Sequence, residues 1–130
     1  MKKILLIFLL PGILSLGIRY IPFSNQPPLG VTKKIFGDIV SEQSFIVNES
    51  NLIGIGVSFK NPNLHNKKDI KLTLYSLDKR IIGQSTLNGG VIPDGGFVKF
   101  IFEPQTASKG EEISFSLSAP DASENNSLEV

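Results

Sequence analysis

Cysteine and tryptophan are absent from this chain of 130 residues, and its one histidine is His65. Without cysteine the chain forms no disulfide and has no attachment site for a bacterial lipid anchor. It also lacks most of the side chains from which zinc and iron sites are built. We therefore predict no metal site and no cofactor. A structural calcium ion, which takes oxygen ligands from loops, is the one ion that the composition leaves open.

Charge imbalance is absent as well. The chain has 13 lysines and arginines against 12 aspartates and glutamates, which gives a net charge of +1. The basic residues are scattered and form no stripe that could follow a phosphate backbone. The sequence therefore predicts that nucleic acid is not a partner.

Recognisable catalytic patterns are also missing. A glycoside hydrolase needs two facing carboxylates, but the acidic residues fall mostly in predicted turns or at strand ends and form no evident pair. No Gly-x-Ser-x-Gly sequence offers His65 a nucleophile. We predict that the protein is not an enzyme.

The N-terminus has the pattern of an export signal. Lys2 and Lys3 precede the apolar run Ile4–Ile18, and residues up to Phe23 extend it to nearly the length of a membrane span. We predict one hydrophobic signal-anchor helix over residues 1–23, held in the membrane through residues 4–23, with the rest of the chain extracytoplasmic. If the leader is cleaved, for which residues 15–17 give the best small-residue pattern, the product is secreted or periplasmic. A third interpretation is that this segment is the last span of a larger membrane protein.

Beyond a proline-containing linker over residues 24–34, the pattern has period two and predicts a β domain over residues 35–130. Seven or eight short strands joined by loops of unequal length favour a double-sheet sandwich. The predicted strand segments are Ile35–Val40, Gln43–Val47, Leu52–Phe59, Ile70–Tyr75, Arg80–Leu87, Phe97–Glu103, Glu112–Ser118 and Ser127–Val130. The fourth and fifth segments are expected to pair as a hairpin through a turn near Asp78-Lys79, and the third places Ile53, Ile55, Val57 and Phe59 on its apolar face. The fold class is thus all-β, an antiparallel jelly-roll sandwich after one N-terminal helix, and its last strands could lie beyond the sequence.

Two regions of this domain are candidate ligand sites. The first is the outward row Lys71, Thr73 and Tyr75, which would form a shallow polar face with Ser114, Ser116 and Ser118 if these rows share a sheet with Gly54, Gly56 and Ser58. Glycines at this spacing also predict a bulge or a close approach of another backbone. The alternative is a plain solvated sheet face.

The second region is the loop from Lys60 to Asp69. Asn61 and Asn66 supply amides, and Asp69 supplies a carboxylate, that could form hydrogen bonds with sugar hydroxyls. His65 directly precedes Asn66 in the same loop. Turn formation explains the same asparagines without any ligand.

A particular order of strand and turn segments runs through the domain: Gly37-Asp38-Ile39-Val40, Gln43-Ser44-Phe45, Asn51 to Phe59, Asn66, Asp69 to Leu74, Val91-Ile92-Pro93-Asp94, Phe100 to Pro104 and Phe115 to Pro120. This order resembles the extracytoplasmic jelly-roll domain attached to multi-pass prokaryotic membrane proteins of surface polysaccharide synthesis, which is similar in plan to carbohydrate-binding modules. The resemblance implies a non-catalytic module that binds or positions a cell-surface glycan. The alternative is a structural or protein-interaction module of a cell-envelope complex that binds no sugar.

Overall fold

The computed structural model describes residues 32–48, 50–105 and 109–130. The predicted anchor and most of the predicted linker therefore lie outside the described residues. Eight strands occur in the described part: β1 (Lys34–Ile35), β2 (Ser41–Ile46), β3 (Leu52–Phe59), β4 (Asp69–Tyr75), β5 (Ile81–Asn88), β6 (Gly96–Gln105), β7 (Glu112–Ser118) and β8 (Leu128–Glu129). Short 3-10 segments lie at Pro62–Leu64, Gly89–Val91 and Glu124–Asn126. No helix within the described ranges is long and apolar enough to cross a membrane.

The strands pair in a nested order, and every pair is antiparallel. β1 pairs with β8, β2 with β7, β3 with β6 and β4 with β5. β4 also pairs with β7, so that one sheet has the order β2-β7-β4-β5. An isolated antiparallel bridge between Lys60 and Glu129 joins β8 to the end of β3. This bridge places β1, β8, β3 and β6 in a second, less regular layer.

One apolar core joins the two layers. Alternate residues of β4 and β7 turn inward, as the period-two pattern requires, and they pack in one cluster with aromatic residues of β3 and β6. The rings of Phe59 and Phe100 lie 6.1 Å apart and are tilted by 59°. The side chains that are fully or almost fully buried include Ile70, Leu72, Leu74, Ile113, Leu117, Phe59 and Phe100. The described part is thus all-β and sandwich-like.

Most strand predictions are confirmed. Leu52–Phe59 and Glu112–Ser118 form strands with the predicted bounds, and the segment after Asp69 pairs with the segment ending at Asn88 as a hairpin. The turn of this hairpin lies at the predicted Asp78-Lys79, where Lys79 has a φ of 63°. These segments alternate strictly and are closed by turn residues, so local pattern was enough to find them.

One short strand prediction is wrong. Only Ile35 of the segment Ile35–Val40 lies in a strand, because the chain turns at Gly37, which has a φ of 53° that favours glycine. Between β5 and β6, the 3-10 segment Gly89–Val91 is capped by the Asn88 side chain, which accepts a hydrogen bond from the Gly90 N–H.

The predicted face of β3 needs one correction. Ile53 was placed on the apolar face with Ile55, Val57 and Phe59, but the register shifts between Leu52 and Gly54. Because of this bulge Leu52 is buried, whereas Ile53 is 40% exposed. The bulge is the structural role that the glycine spacing in β3 had suggested.

Candidate functional site

The outward side of the four-stranded sheet brings together most of the first candidate site. Lys71, Thr73 and Tyr75 of β4 lie directly opposite Ser118, Ser116 and Ser114 of β7. Opposed residues share a face of the sheet, so these two rows meet on one surface. β2 and β5 extend the surface with Glu42, Ser44, Gln84 and Thr86. We call the surface formed by these ten residues the polar sheet face.

The condition that β3 belongs to the same sheet is not met. Gly54, Gly56 and Ser58 pair with Ile101, Lys99 and Phe97 of β6, in the other layer of the fold. Which strands pair depends on packing between distant segments. The alternation of small residues at Gly54, Gly56 and Ser58 does not indicate the strand with which β3 pairs.

The polar sheet face is closed at its centre and accessible at its ends. Thr73 and Ser116, which lie opposite each other at the centre, are only 6% and 8% exposed. Lys71 and Tyr75 are half-buried, which leaves part of each side chain in contact with solvent. A ligand on this face would therefore contact Tyr75 at one end and Lys71 at the other.

A shallow cavity of about 140 Å³ lies at the Tyr75 end, between the β4–β5 turn and the neighbouring strands. Its lining is mixed: Ser44, Ser76, Leu77, Lys79, Glu112, Ile113 and Ser114. Typical pockets for small molecules have about 300–1,000 Å³. The cavity is thus large enough for part of a ligand that lies across the face, and hydroxyl, ammonium and carboxylate groups are available there for hydrogen bonds.

The turn beside the cavity is held by its own side chains. The Ser76 hydroxyl donates a hydrogen bond to the Asp78 carboxylate, and Arg80 Nε donates a second over 2.7 Å. These two hydrogen bonds, from Ser76 first and Arg80 second, lower the pKa of Asp78. The Asp78 carboxylate therefore already accepts two hydrogen bonds within the turn. These hydrogen bonds order the backbone that carries Ser76 and Lys79.

In the second candidate region, two buried asparagine side chains form hydrogen bonds within the fold. Asn61 and Asn66 are both 0% exposed. Asn61 Nδ2 donates to the carbonyl oxygens of Gly89 and Ile92 over 2.9 and 2.8 Å, and its Oδ1 accepts from the Asn66 N–H over 3.0 Å. Every polar atom of the Asn61 side chain is thus used inside the fold, where it ties the loop after β3 to the segment between β5 and β6.

Asn66 extends this network toward the C-terminus. Its Nδ2 donates to the carbonyl oxygen of Asn126 over 2.6 Å, while its Oδ1 accepts from the Lys68 N–H over 2.8 Å. Because both amides are buried and satisfied, they have nothing left to offer a sugar hydroxyl. Sequence alone does not separate such an amide from an exposed ligand group, since asparagine favours turns in both cases.

His65 and Asp69 are the exposed members of this region. His65 Nε2 lies 2.5 Å from the carbonyl oxygen of Ser127, and Asp69 Oδ1 accepts a hydrogen bond from Asn88 Nδ2 over 3.0 Å. His65 belongs to the same loop as the buried amides, whereas Asp69 is the first residue of β4 and lies opposite Asn88 of β5. Neither residue is part of the cavity lining. Within the described ranges, no group of three or more acidic, histidine or cysteine side chains is placed to hold a metal ion.

We expect the close approach at Gly89 to make this junction sensitive to one methyl group. A Cβ at position 89 would lie 2.3 Å from Asn66 Oδ1 and 2.8 Å from the Asn66 carbonyl oxygen. The hydrogen bond from the Lys68 N–H holds Oδ1 in place, and the carbonyl oxygen belongs to the backbone. Gly89→Ala should lower the free energy of unfolding by about 2 kcal/mol, the usual cost of overpacking. Gly83→Ala, whose Cβ would meet nothing closer than 3.5 Å, should change it by less than about 1 kcal/mol. Equal effects of the two substitutions in urea denaturation would contradict this close approach.

The structure adds a surface that sequence reasoning did not assign. Phe97 and Ile101 of β6 are 63% and 56% exposed, and they lie on the outer side of β3 together with Ile53. The Phe97 ring covers Gly56, where a Cβ would lie 2.0 Å from its Cζ. The signal was in the sequence, because Phe97 and Ile101 alternate with the inward row Val98, Phe100 and Phe102. We call Ile53, Phe97 and Ile101 the apolar patch.

No family model and no curated protein matches the chain. The function must therefore be argued from the two surfaces described above.

Proposed function

We propose that this chain is a membrane-tethered, extracytoplasmic and non-catalytic module of jelly-roll topology, which binds or positions cell-surface carbohydrate on the polar sheet face. The nested pairing of the strands supports the topology. A jelly roll is a long antiparallel hairpin rolled into two sheets, in which the first strand pairs with the last and each inner pair follows in turn. The orders β2-β7-β4-β5 and β1-β8-β3-β6 are those that such rolling produces.

The observation that carries the carbohydrate proposal is the placement of Tyr75 beside the shallow cavity. Tyr75 lies opposite Ser114, and Ser114 lies opposite Ser44, so the aromatic ring and two hydroxyls of the cavity wall share one stretch of sheet. An aromatic ring packs against the C–H face of a pyranose, while hydroxyl, ammonium and carboxylate groups nearby bond its hydroxyls. In this proposal the ligand-binding residues are Tyr75 and Lys71, with Asp69 at the start of β4 and His65 in the loop before it. Thr73 is buried between Tyr75 and Lys71, and Asn61 and Asn66 hold the loops together.

The same proposal includes the membrane attachment of the module and its neighbouring protein. Residues 4–23 tether it to the membrane, and a multi-pass membrane protein of polysaccharide synthesis is the proposed neighbour. The apolar length of the N-terminal run and the lysines before it support this location. No cofactor enters the proposed function.

A glycan array tests the proposal. We expect the full chain, kept in a mild non-ionic detergent, to bind at least one polysaccharide fragment, and Tyr75→Ala to weaken that binding at least tenfold because the stacking ring is lost. Phe97→Ala is the matched control, since it removes an exposed aromatic ring from the other layer and should leave the binding unchanged. Absence of binding by the folded chain, or equal loss in both variants, would contradict the carbohydrate proposal.

The apolar patch favours a second candidate function. Large exposed apolar groups that lie together on a sheet are typical of surfaces that contact another protein. On this reading the chain is a structural or protein-interaction module of a cell-envelope complex. The patch and the polar sheet face belong to opposite layers, so the array experiment separates the two functions.

A further inference from the structure

Asn88 and Gly89 form the one Asn-Gly step in the sequence, and they lie where β5 ends. Asparagine is among the thermolabile residue types. Glycine is the following residue that shields it least, because no Cβ hinders the approach of the glycine nitrogen to the asparagine side chain. In an unfolded chain this step is therefore the asparagine position with the greatest tendency to deamidate. Its fate in the folded protein depends on how the Gly89 nitrogen and the Asn88 side chain are held.

Deamidation of this step needs only water as a co-reactant. The Gly89 nitrogen gives up its proton and bonds to Asn88 Cγ, the bond between Cγ and Nδ2 breaks, and ammonia leaves with that proton. Water then hydrolyses the resulting succinimide ring to aspartate or isoaspartate at position 88. The reaction thus requires a Gly89 nitrogen that can approach Asn88 Cγ and a side-chain amide that can leave.

The fold engages both of these groups in hydrogen bonds. The Gly89 N–H donates to the Lys68 carbonyl oxygen over 2.8 Å. Asn88 Nδ2 donates to the Lys67 carbonyl oxygen over 2.8 Å and to Asp69 Oδ1 over 3.0 Å. The nucleophile and the leaving amide are therefore both bonded to the segment that leads into β4.

The backbone conformation keeps the reacting atoms apart as well. Asn88 is extended, with a ψ of 135°, which turns the Gly89 nitrogen away from the Asn88 side chain, and Asn88 Oδ1 accepts a hydrogen bond from the Gly90 N–H over 2.9 Å. Gly89 is buried, and its carbonyl oxygen accepts from Asn61 Nδ2 over 2.9 Å. Ring closure therefore requires local opening of what we call the asparagine junction: Asn61, Asn66, Asn88 and Gly89.

The product of the reaction does not suit the closed junction. A carboxylate at position 88 has no N–H to replace the two hydrogen bonds that Asn88 Nδ2 donates, and it would face the carboxylate of Asp69, the directly opposed residue of β4. Like charges in opposed positions of an antiparallel pair are destabilising. Isoaspartate also adds one carbon atom to the main chain at the last residue of β5. Either product therefore opposes reclosure.

We propose that Asn88 is a deamidation site that the closed asparagine junction protects, and that its conversion to aspartate or isoaspartate after local opening leaves the junction open. The modification is a one-way covalent switch, because the ammonia has left. It acts on the connection from β5 to β6 and on the loop before β4. This inference does not depend on the proposed carbohydrate binding.

The first measurement follows the reaction in the unmodified full chain, kept at neutral pH in a mild non-ionic detergent, with and without enough guanidinium chloride to unfold it. Peptide mapping by mass spectrometry identifies the asparagine that reacts. We expect Asn88 to deamidate at least tenfold faster in the unfolded chain, because reaction in the folded chain is limited to the open fraction. The other asparagines, none of which precedes glycine, are the internal controls and should react more slowly than Asn88 in the unfolded chain. Equal rates at Asn88 in the two states, or a faster reaction at another asparagine, would overturn the proposal.

A second measurement tests what the modification does. Asn88→Asp gives the aspartate product directly, and Asn125→Asp is the matched control, because it adds the same charge at an exposed asparagine. Hydrogen exchange of the Gly89 amide should be at least tenfold faster in Asn88→Asp than in the unmodified chain, while the Leu117 amide of β7 exchanges at an unchanged rate. Asn125→Asp should leave both rates unchanged. Unchanged exchange at Gly89 in Asn88→Asp, an equal effect of Asn125→Asp, or faster exchange at Leu117 through loss of the whole fold would each contradict a local switch at this junction.

Discussion

Replacing Asn61 with alanine is expected to lower the free energy of unfolding by about 3 kcal/mol or more. The substitution removes the donor to the Gly89 and Ile92 carbonyl oxygens and the acceptor for the Asn66 N–H, all at a position that is 0% exposed. Buried partners that lose a hydrogen bond cost about 1–3 kcal/mol each, and water cannot reach them easily. The loss should therefore exceed that of an ordinary loop substitution.

Asn125→Ala provides the matched control, because Asn125 is an asparagine in the 3-10 segment Glu124–Asn126 and is exposed, whereas the buried Asn61 directly precedes the segment Pro62–Leu64. We expect it to change the stability by less than about 0.5 kcal/mol. Urea denaturation of both variants, with near-ultraviolet circular dichroism as the signal, measures the difference. If Asn61→Ala proved as mild as Asn125→Ala, the loop between β3 and β4 would not depend on the buried amide.

The second large effect is expected at Phe100. Phe100→Ala should cost about 3–5 kcal/mol, since the ring is 0% exposed and packs against Phe59 at the centre of the core. Phe97→Ala changes the same residue type three positions earlier in the same strand. Its ring is 63% exposed, so we expect a loss below about 1 kcal/mol.

The Phe97 and Phe100 pair tests the orientation of β6. The melting temperatures of the two variants should differ by about 8 °C or more, because the expected difference of at least about 2 kcal/mol corresponds to roughly 4–8 °C per kcal/mol in a domain of this size. A reversed order, with Phe97→Ala the more damaging, would mean that β6 lies in the opposite orientation and that the apolar patch is buried.

Local pattern in the sequence determined the strands and much of their orientation. The alternation in Asp69–Tyr75 and Glu112–Ser118 predicted both the buried rows and the outward rows, because a strand places successive side chains on opposite faces. Asp78-Lys79 likewise predicted the hairpin turn. The same reasoning failed at Ile35–Val40, where a glycine with positive φ interrupts a pattern too short to be decisive.

Tertiary structure alone decided which of these elements meet. The row of Lys71, Thr73 and Tyr75 proved to lie beside the serines of β7, whereas the glycines of β3 belong to the other layer. It also separated Asn61 and Asn66, which are buried and fully bonded, from Asp69 and His65, which are exposed. The physical reason is that alternation is a property of neighbouring residues, whereas the burial of an amide and the choice of a strand partner depend on contacts between segments far apart in the chain.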